Sequence, residues 1–198
     1  MLLVLASCAT IMPPPTQPPV AASAQQLHLA TLAHIKTFSI KGRLGVVTNP
    51  RGFSGSIDWQ HQADTDNVEV YSPLGGKVAN IAKSPTEVTL TTQDGRTQSA
   101  ADAETLTQNA LGFRLPLTGL SDWALGKPTA SKIDAVSSDA QGRLLTLKQD
   151  GWDISYETYV HINSAANKGV DLPSKIVLKS DKLNLKLLVQ QWRSLDIQ

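Results

Sequence analysis

The chain is poor in several things at once. It has a single cysteine, Cys8, among 198 residues. One thiol can close no internal disulfide and cannot supply a multi-thiolate metal site. Charge of one sign is missing too: 18 Lys and Arg stand against 17 Asp and Glu, a net charge of +1. Nucleic-acid binders need surplus cations to neutralise phosphates, so that class is excluded. No apolar run reaches the roughly 18 residues that a membrane-spanning helix needs. Aromatic residues make up only 5%. What is present, 41% hydrophobic and 18% charged residues, is the composition of a folded domain rather than a disordered one. A chain of this length buries roughly 70% of its unfolded surface and needs no covalent staples.

The cysteine stands near the N-terminus, after the apolar run Met1 to Ala6. Leu5-Ala6-Ser7-Cys8 resembles the lipobox of bacterial lipoproteins, in which the Cys becomes the lipidated first residue. On that resemblance residues 1–8 are the end of a signal peptide lacking its charged start, and Cys8 is the lipid attachment site. Ala9 follows the Cys rather than Asp, which resembles the outer-membrane-directed pattern. Residues 9–24 carry Pro13-Pro14-Pro15 and Pro18-Pro19 among Thr, Gln, Ala and Ser. Proline removes a donor and fixes φ, so this stretch is expected to be an extended tether or a disordered tail.

Residues 25–198 read as one domain, mainly strands with helices (α+β). Leu29, Leu32 and Ile35 at helical spacing predict an amphipathic helix over 25–36. Strand patterns follow at 38–48, 52–61, 67–72, 77–83, 87–92 and 96–99, with turn signals such as Pro73-Leu74-Gly75-Gly76 and Asp94-Gly95 between them. The pattern then turns helical: 101–110, with Asp102 as cap, and a second helix opening near Pro116 and ending at Gly126. Strands resume at 133–136, 143–148, 152–162, 175–180 and 182–192. Ten or eleven antiparallel strands suit either a sandwich or a barrel.

Catalytic and metal motifs are missing. His28, His34, His61 and His161 form no H-E-x-x-H and have no second ligand at metal spacing. Ser54 is not in a G-x-S-x-G elbow. Gly75-Gly76-Lys77 lacks the Ser or Thr of a phosphate loop. Asp64 and Asp66 are expected to be solvated in a polar turn. Trp59, Trp152 and Trp192 are expected to fill the core. No enzyme activity, metal or cofactor is expected.

Two features stand apart. The helical insert puts Leu111, Phe113, Leu117, Leu120 and Trp123 where they could cover the concave face of a curled sheet. Between helices and sheet there would be either a dry core, slightly favoured by the residues alone, or a lipid-sized pocket. Leu74 occupies the tip of a turn, where leucine has no backbone advantage. It either folds back onto the core, the reading favoured by the residues alone, or projects as an apolar finger.

Taken in order, Ile40-Lys41-Gly42-Arg43-Leu44, Trp59, Ser72-Pro73-Leu74-Gly75, Leu115-Pro116-Leu117, Leu120, Trp123, Gly126, Gly151-Trp152-Asp153-Ile154-Ser155-Tyr156, Leu172-Pro173 and Trp192 resemble the LolB family of outer-membrane lipoprotein receptors. The related carrier LolA, which lacks the lipobox and the Pro-Leu-Gly finger, resembles the chain less. The resemblance implies an incomplete antiparallel β-barrel of about eleven strands with helices covering its concave face. It implies a cavity, lined by Leu111, Phe113, Leu117, Leu120 and Trp123, for the acyl chains of lipoproteins delivered by LolA. It implies a membrane-insertion loop at Pro73, Leu74 and Gly75, and a monomer anchored in the outer membrane and facing the periplasm. The alternatives are a periplasm-facing lipoprotein that binds another apolar ligand, or one with a purely structural role.

Overall fold

The computed structural model describes residues 19–48, 52–111, 114–115, 117–163 and 169–197. The helix α1 (Pro19–Ala33) leads into β1 (Ile35–Val47), followed by β2 (Gly52–Gln62), β3 (Thr65–Tyr71), β4 (Lys77–Lys83), β5 (Val88–Thr92) and β6 (Thr97–Ala100). Two helices come next, α2 (Ala103–Leu111) and α3 (Leu117–Leu125). The chain closes with β7 (Ile133–Ser138), β8 (Leu144–Gln149), β9 (Trp152–Ile162), β10 (Val170–Lys179) and β11 (Asn184–Ile197).

All eleven strands join one antiparallel sheet in the order β6-β5-β4-β3-β2-β1-β11-β10-β9-β8-β7. The sandwich alternative is thereby excluded. The sheet is open, with β6 and β7 as its edges, as the incomplete barrel implied. Alternation places one side of the central strands inward: Gly55, Ile57 and Trp59 on β2, Val68 and Val70 on β3, Leu185, Leu187 and Val189 on β11 are buried between more exposed neighbours. Register shifts between Lys41 and Gly42, and between Pro173 and Ile176, mark irregularities that bend and twist strands locally, which suits a sheet that curls over a core.

Two sequence expectations are corrected at the N-terminus. The helix starts at Pro19, inside the stretch read as a tether, and it ends at Ala33 rather than Lys36. Proline is tolerated in the first turn, where its missing N–H has no intrahelical partner anyway. The alanine-rich residues after it then propagate the helix. Ile35, read as the third apolar position of the helix, is instead the first residue of β1 and pairs with Ile197. Leu32 is fully buried while Leu27 is exposed, so only a narrow stripe of α1 packs.

The insert forms as its capping residues dictate. Asp102 Oδ1 accepts from the Thr105 amide at 2.7 Å, satisfying a donor that the first turn of α2 leaves open. At the end of α3 the Gly126 amide donates to Trp123 O at 3.0 Å and the Lys127 amide to Asp122 O at 3.1 Å. This is a Schellman closure, and it requires the left-handed φ of +80° seen at Gly126. The four tryptophans are buried, at 1% exposure for Trp59 and Trp123 and 8% for Trp152 and Trp192.

Candidate functional site

The β2–β5 flank of the concave face is not filled. Beneath α3 lies a pocket of about 370 Å³, within the range of small-ligand sites. Its wall comes from inward positions of consecutive strands: Leu44 and Val46 on β1, Phe53, Ile57 and Trp59 on β2, Val68 and Val70 on β3, Ala79 and Ile81 on β4, Leu90 on β5, Leu185 and Leu187 on β11. Leu115, Leu117 and Leu120 close it from the helical side. Thr48 and Thr92 bring the hydroxyls of the lining. A surface so nearly free of donors and acceptors offers water little and an alkyl chain much.

The open end can be located from the strands. Antiparallel order puts the β1–β2, β3–β4, β5–β6 and β10–β11 connections at one end of the sheet. Gly52 and Phe53 at that end are exposed, whereas Ile57, Trp59, Val68, Val70, Ile81 and Leu90 deeper in are buried. The helical side is fixed locally. The Leu115 amide donates to the buried Thr107 hydroxyl at 2.9 Å, and that hydroxyl donates to Ala103 O at 2.8 Å.

Leu74 stands at the same end. It is 99% exposed, so it does not fold back onto the core, contrary to the reading favoured by the residues alone. The turn that carries it is stiff. The Gly75 amide donates to Ser72 O at 2.9 Å and the Ser72 amide to Gly76 O at 2.8 Å. Pro73 sits at the first central position, where its fixed φ suits a type I turn. Gly75 follows with φ of +88°, the geometry of a three-residue hairpin loop. Leucine is held outward by the residues on either side of it.

The other insert residues are distributed unevenly. Leu117 and Leu120 line the pocket; Trp123 does not. Its indole N–H donates to Gln149 Oε1 at 3.1 Å, and its ring packs 6.5 Å from that of Trp152. This departs from the expectation that Trp123 forms part of the cavity wall. One turn beyond Leu120, it faces the β8–β9 flank and anchors α3 there. Leu111 ends α2; its side chain, Phe113 and Cys8 lie outside the described residues.

Asp66 is the largest revision on the sheet. Expected to be solvated, it is 5% exposed. Trp59 Nε1–H donates to its Oδ1 at 2.9 Å, His61 Nδ1 lies 2.7 Å from the same oxygen, and Lys83 Nζ is 3.2 Å from Oδ2. Burial opposes ionisation, but the hydrogen bonds from His61 and Trp59 and the nearby Lys83 outweigh it and hold the carboxyl below its ordinary range. Among the described residues no group of three or more His, Cys, Asp or Glu side chains could hold a metal ion. No helix among them is long and apolar enough to cross a membrane.

Sequence reasoning missed the strand half of the pocket. The signal was present as period-two alternation at Phe53, Ile57 and Trp59 and at Val68 and Val70. Alternation says which side chains face inward, not whether anything fills the space before them.

Comparison with known proteins follows the same outline. The family model described as "Outer membrane lipoprotein LolB" matches residues 36–192. The outer-membrane lipoprotein LolB of Thiobacillus denitrificans is 36% identical over 191 residues, covering 96% of this chain and 92% of that protein. The LolB of Nitrosococcus oceani is 32% identical over 193 residues, covering 97% and 93%. Among solved structures, a LolA superfamily protein from Nitrosomonas europaea superposes with a TM-score of 0.55 at 10% identity, covering 90% of this chain and 94% of that one. That likeness concerns the fold.

Proposed function

The chain belongs to the LolB family of outer-membrane lipoproteins, and from that premise we propose that it receives acylated lipoproteins from the periplasmic carrier LolA and places them in the outer membrane. The observation that carries the reading is the pocket of about 370 Å³, apolar throughout its depth, whose open end is also the end from which Leu74 projects.

The physical problem is the cost of an acyl chain in water, about 0.8 kcal/mol per methylene. A multiply acylated protein cannot cross an aqueous compartment at a useful rate while bearing that cost. A pocket lined by Leu, Val and Ile removes most of it. Transfer then needs no nucleotide if each station holds the chains more favourably than the one before. The receptor must bind more tightly than the carrier and less tightly than the bilayer, a difference of affinities rather than a maximum.

In this account α3 is a cover with two unequal ends. Leu117 and Leu120 border the pocket and give way to cargo, while Trp123 holds the other end to the sheet. Leu111 and Phe113, which precede α3, contribute to the same cover. Cys8 carries the lipid that keeps the protein at the outer membrane with its body facing the periplasm, and the protein works as a monomer. Pro73, Leu74 and Gly75 form the part that enters the bilayer first. An exposed leucine on a stiff turn loses little side-chain entropy on insertion and gains the transfer energy of its isobutyl group.

The test is reconstitution with liposomes. Leu74→Glu is expected to leave folding and uptake from the LolA–lipoprotein complex unchanged, because the side chain touches no core. It is expected to reduce delivery of cargo to the membrane severalfold or more. Equal delivery by the variant contradicts the role of the turn. Failure of the wild type to draw lipoprotein from the carrier contradicts the receptor reading itself.

A further inference from the structure

The inner end of the pocket is built differently from its mouth. Cross-strand pairing sets Trp59 opposite Val68, Val68 opposite Ile81 and Ile81 opposite Leu90. All four are buried and all four line the pocket. One row further from the mouth stand His61, Asp66, Lys83 and Val88, again paired in sequence across β2 to β5. None of these lines it. The Asp66 carboxylate in that row is shared by Trp59, His61 and Lys83. Phe38 completes the block, its ring stacked on His61 at 4.8 Å and edge-on to Trp59 at 5.2 Å.

The apolar lining therefore ends at a wall with an ionic back. Side chains in a packed interior have little room to yield. Pushing an alkyl chain past this row would separate a buried carboxylate from its partners, and an unpaired buried charge costs far more than another buried methylene returns. We infer that Trp59, locked in place by Asp66, is the depth stop of the pocket and makes it selective for the length of a linear acyl chain. The inference rests on the reading of the pocket as an acyl-chain site.

The reach of the groove follows from strand geometry. From Phe53 at the mouth to Trp59 is six steps along β2, about 20 Å at ~3.3 Å per residue. A chain lies along this groove with its polar end at the rim near Thr48 and Thr92 and its terminal methyl on the indole. Chains shorter than the groove gain affinity by about fourfold per added methylene. Longer chains leave the extra methylenes in water at the mouth, and the gain stops. A plot of affinity against chain length has a break.

The full chain, loaded with a fluorescent hydrophobic dye, is titrated with a graded series of unbranched saturated fatty acids. Wild type is expected to show the break. Trp59→Leu is expected to move it to longer chains by one to a few methylenes. Val68→Phe, which thickens the same row, is expected to move it to shorter ones. Where Trp59→Leu does not fold, Val68→Phe alone decides. A uniform loss of affinity at every length, with the break unmoved, overturns the depth stop and makes these residues packing only. Binding without any break also overturns it while leaving the acyl-site reading standing. Absence of binding at every length overturns both.

Discussion

On the β2–β5 flank the inward side chains of the sheet look across open space at Leu117 and Leu120 of α3. On the β8–β10 flank inward side chains meet something. Gln149, fully buried, accepts hydrogen bonds from the Trp123 indole at 3.1 Å and the Thr129 amide at 3.0 Å, and donates to Thr129 O and Ser131 O at 3.2 and 2.8 Å. Trp152 and Ile154 on β9 and Leu172 and Ile176 on β10 are buried as well. One continuous sheet thus carries a filled flank and an unfilled one, and a single nine-residue helix spans the difference. Its C-terminal end is fixed by the Trp123–Gln149 bond, the Gly126 closure and a 2.8 Å ion pair between Lys127 and Asp122. Its N-terminal end borders the pocket. The polar anchors within α3 and its pocket-lining leucines thus lie at opposite ends of the helix.

The largest effect that separates the flanks is expected from paired truncations of α3. Trp123→Ala removes a fully buried ring and one of the two hydrogen bonds to Gln149 Oε1, a loss of about 3–5 kcal/mol. Leu120→Ala removes a side chain that already borders a void, so the cost falls near the low end for such changes, about 2 kcal/mol. Chemical denaturation midpoints check both values. Equal losses would mean that α3 packs alike on both flanks. Dye uptake by Trp123→Ala, measured where the protein is still folded, should fall less than uptake by Leu120→Ala.

A smaller effect concerns the floor of the pocket. The carboxyl of Asp66 titrates below its unfolded value. The stability it contributes is therefore present above the unfolded pKa, about 3.9, and is lost as pH falls through the folded value. Unfolding followed from pH 5 downward should show less acid sensitivity in Asp66→Asn than in wild type. A slope unchanged by the substitution contradicts the ionised floor.

The smallest expected change in stability comes from filling the void. Ala79→Leu on β4 places more side chain in the pocket, with a change within about 1 kcal/mol of wild type. Affinity for an acyl probe should nevertheless drop by about tenfold or more. An equivalent overpacking change on the filled flank, Ile176→Phe, should instead destabilise by about 1–3 kcal/mol and leave probe binding alone.

Much of this arrangement could be read from residue order. Strand-forming runs and turn residues marked the regions of all eleven strands, and capping residues at Asp102 and Gly126 marked both helices of the insert. These are local signals, carried by backbone preference. The missed features are non-local. Asp66 looked solvated because its neighbours Asp64 and Thr65 are polar, and its burial depends on Trp59 and Lys83 arriving from other strands. Trp123 was assigned to the pocket because it shares an apolar stripe with Leu117 and Leu120. The stripe is wide enough to touch both flanks, and only the position of Gln149 decides which one the indole meets. The start of α1 at Pro19 was hidden because proline forbids helix interiors but not first turns. Leu74 was legible only as an oddity: a leucine in a tight turn had no local reason to be there, but the residues alone favoured folding back onto the core, and it is exposed at the tip.

The central claim is that acyl chains occupy the β2–β5 flank and leave the β8–β10 flank untouched. The most direct measurement is transfer, from the LolA complex, of a lipoprotein whose acyl chain carries a photoreactive group, followed by irradiation and peptide mapping of the receptor. Adducts are predicted on the lining residues of β2 to β5 and α3, such as Ile57, Val70, Ile81 and Leu117. Adducts concentrated on β8 to β10 or on the convex face would contradict the account.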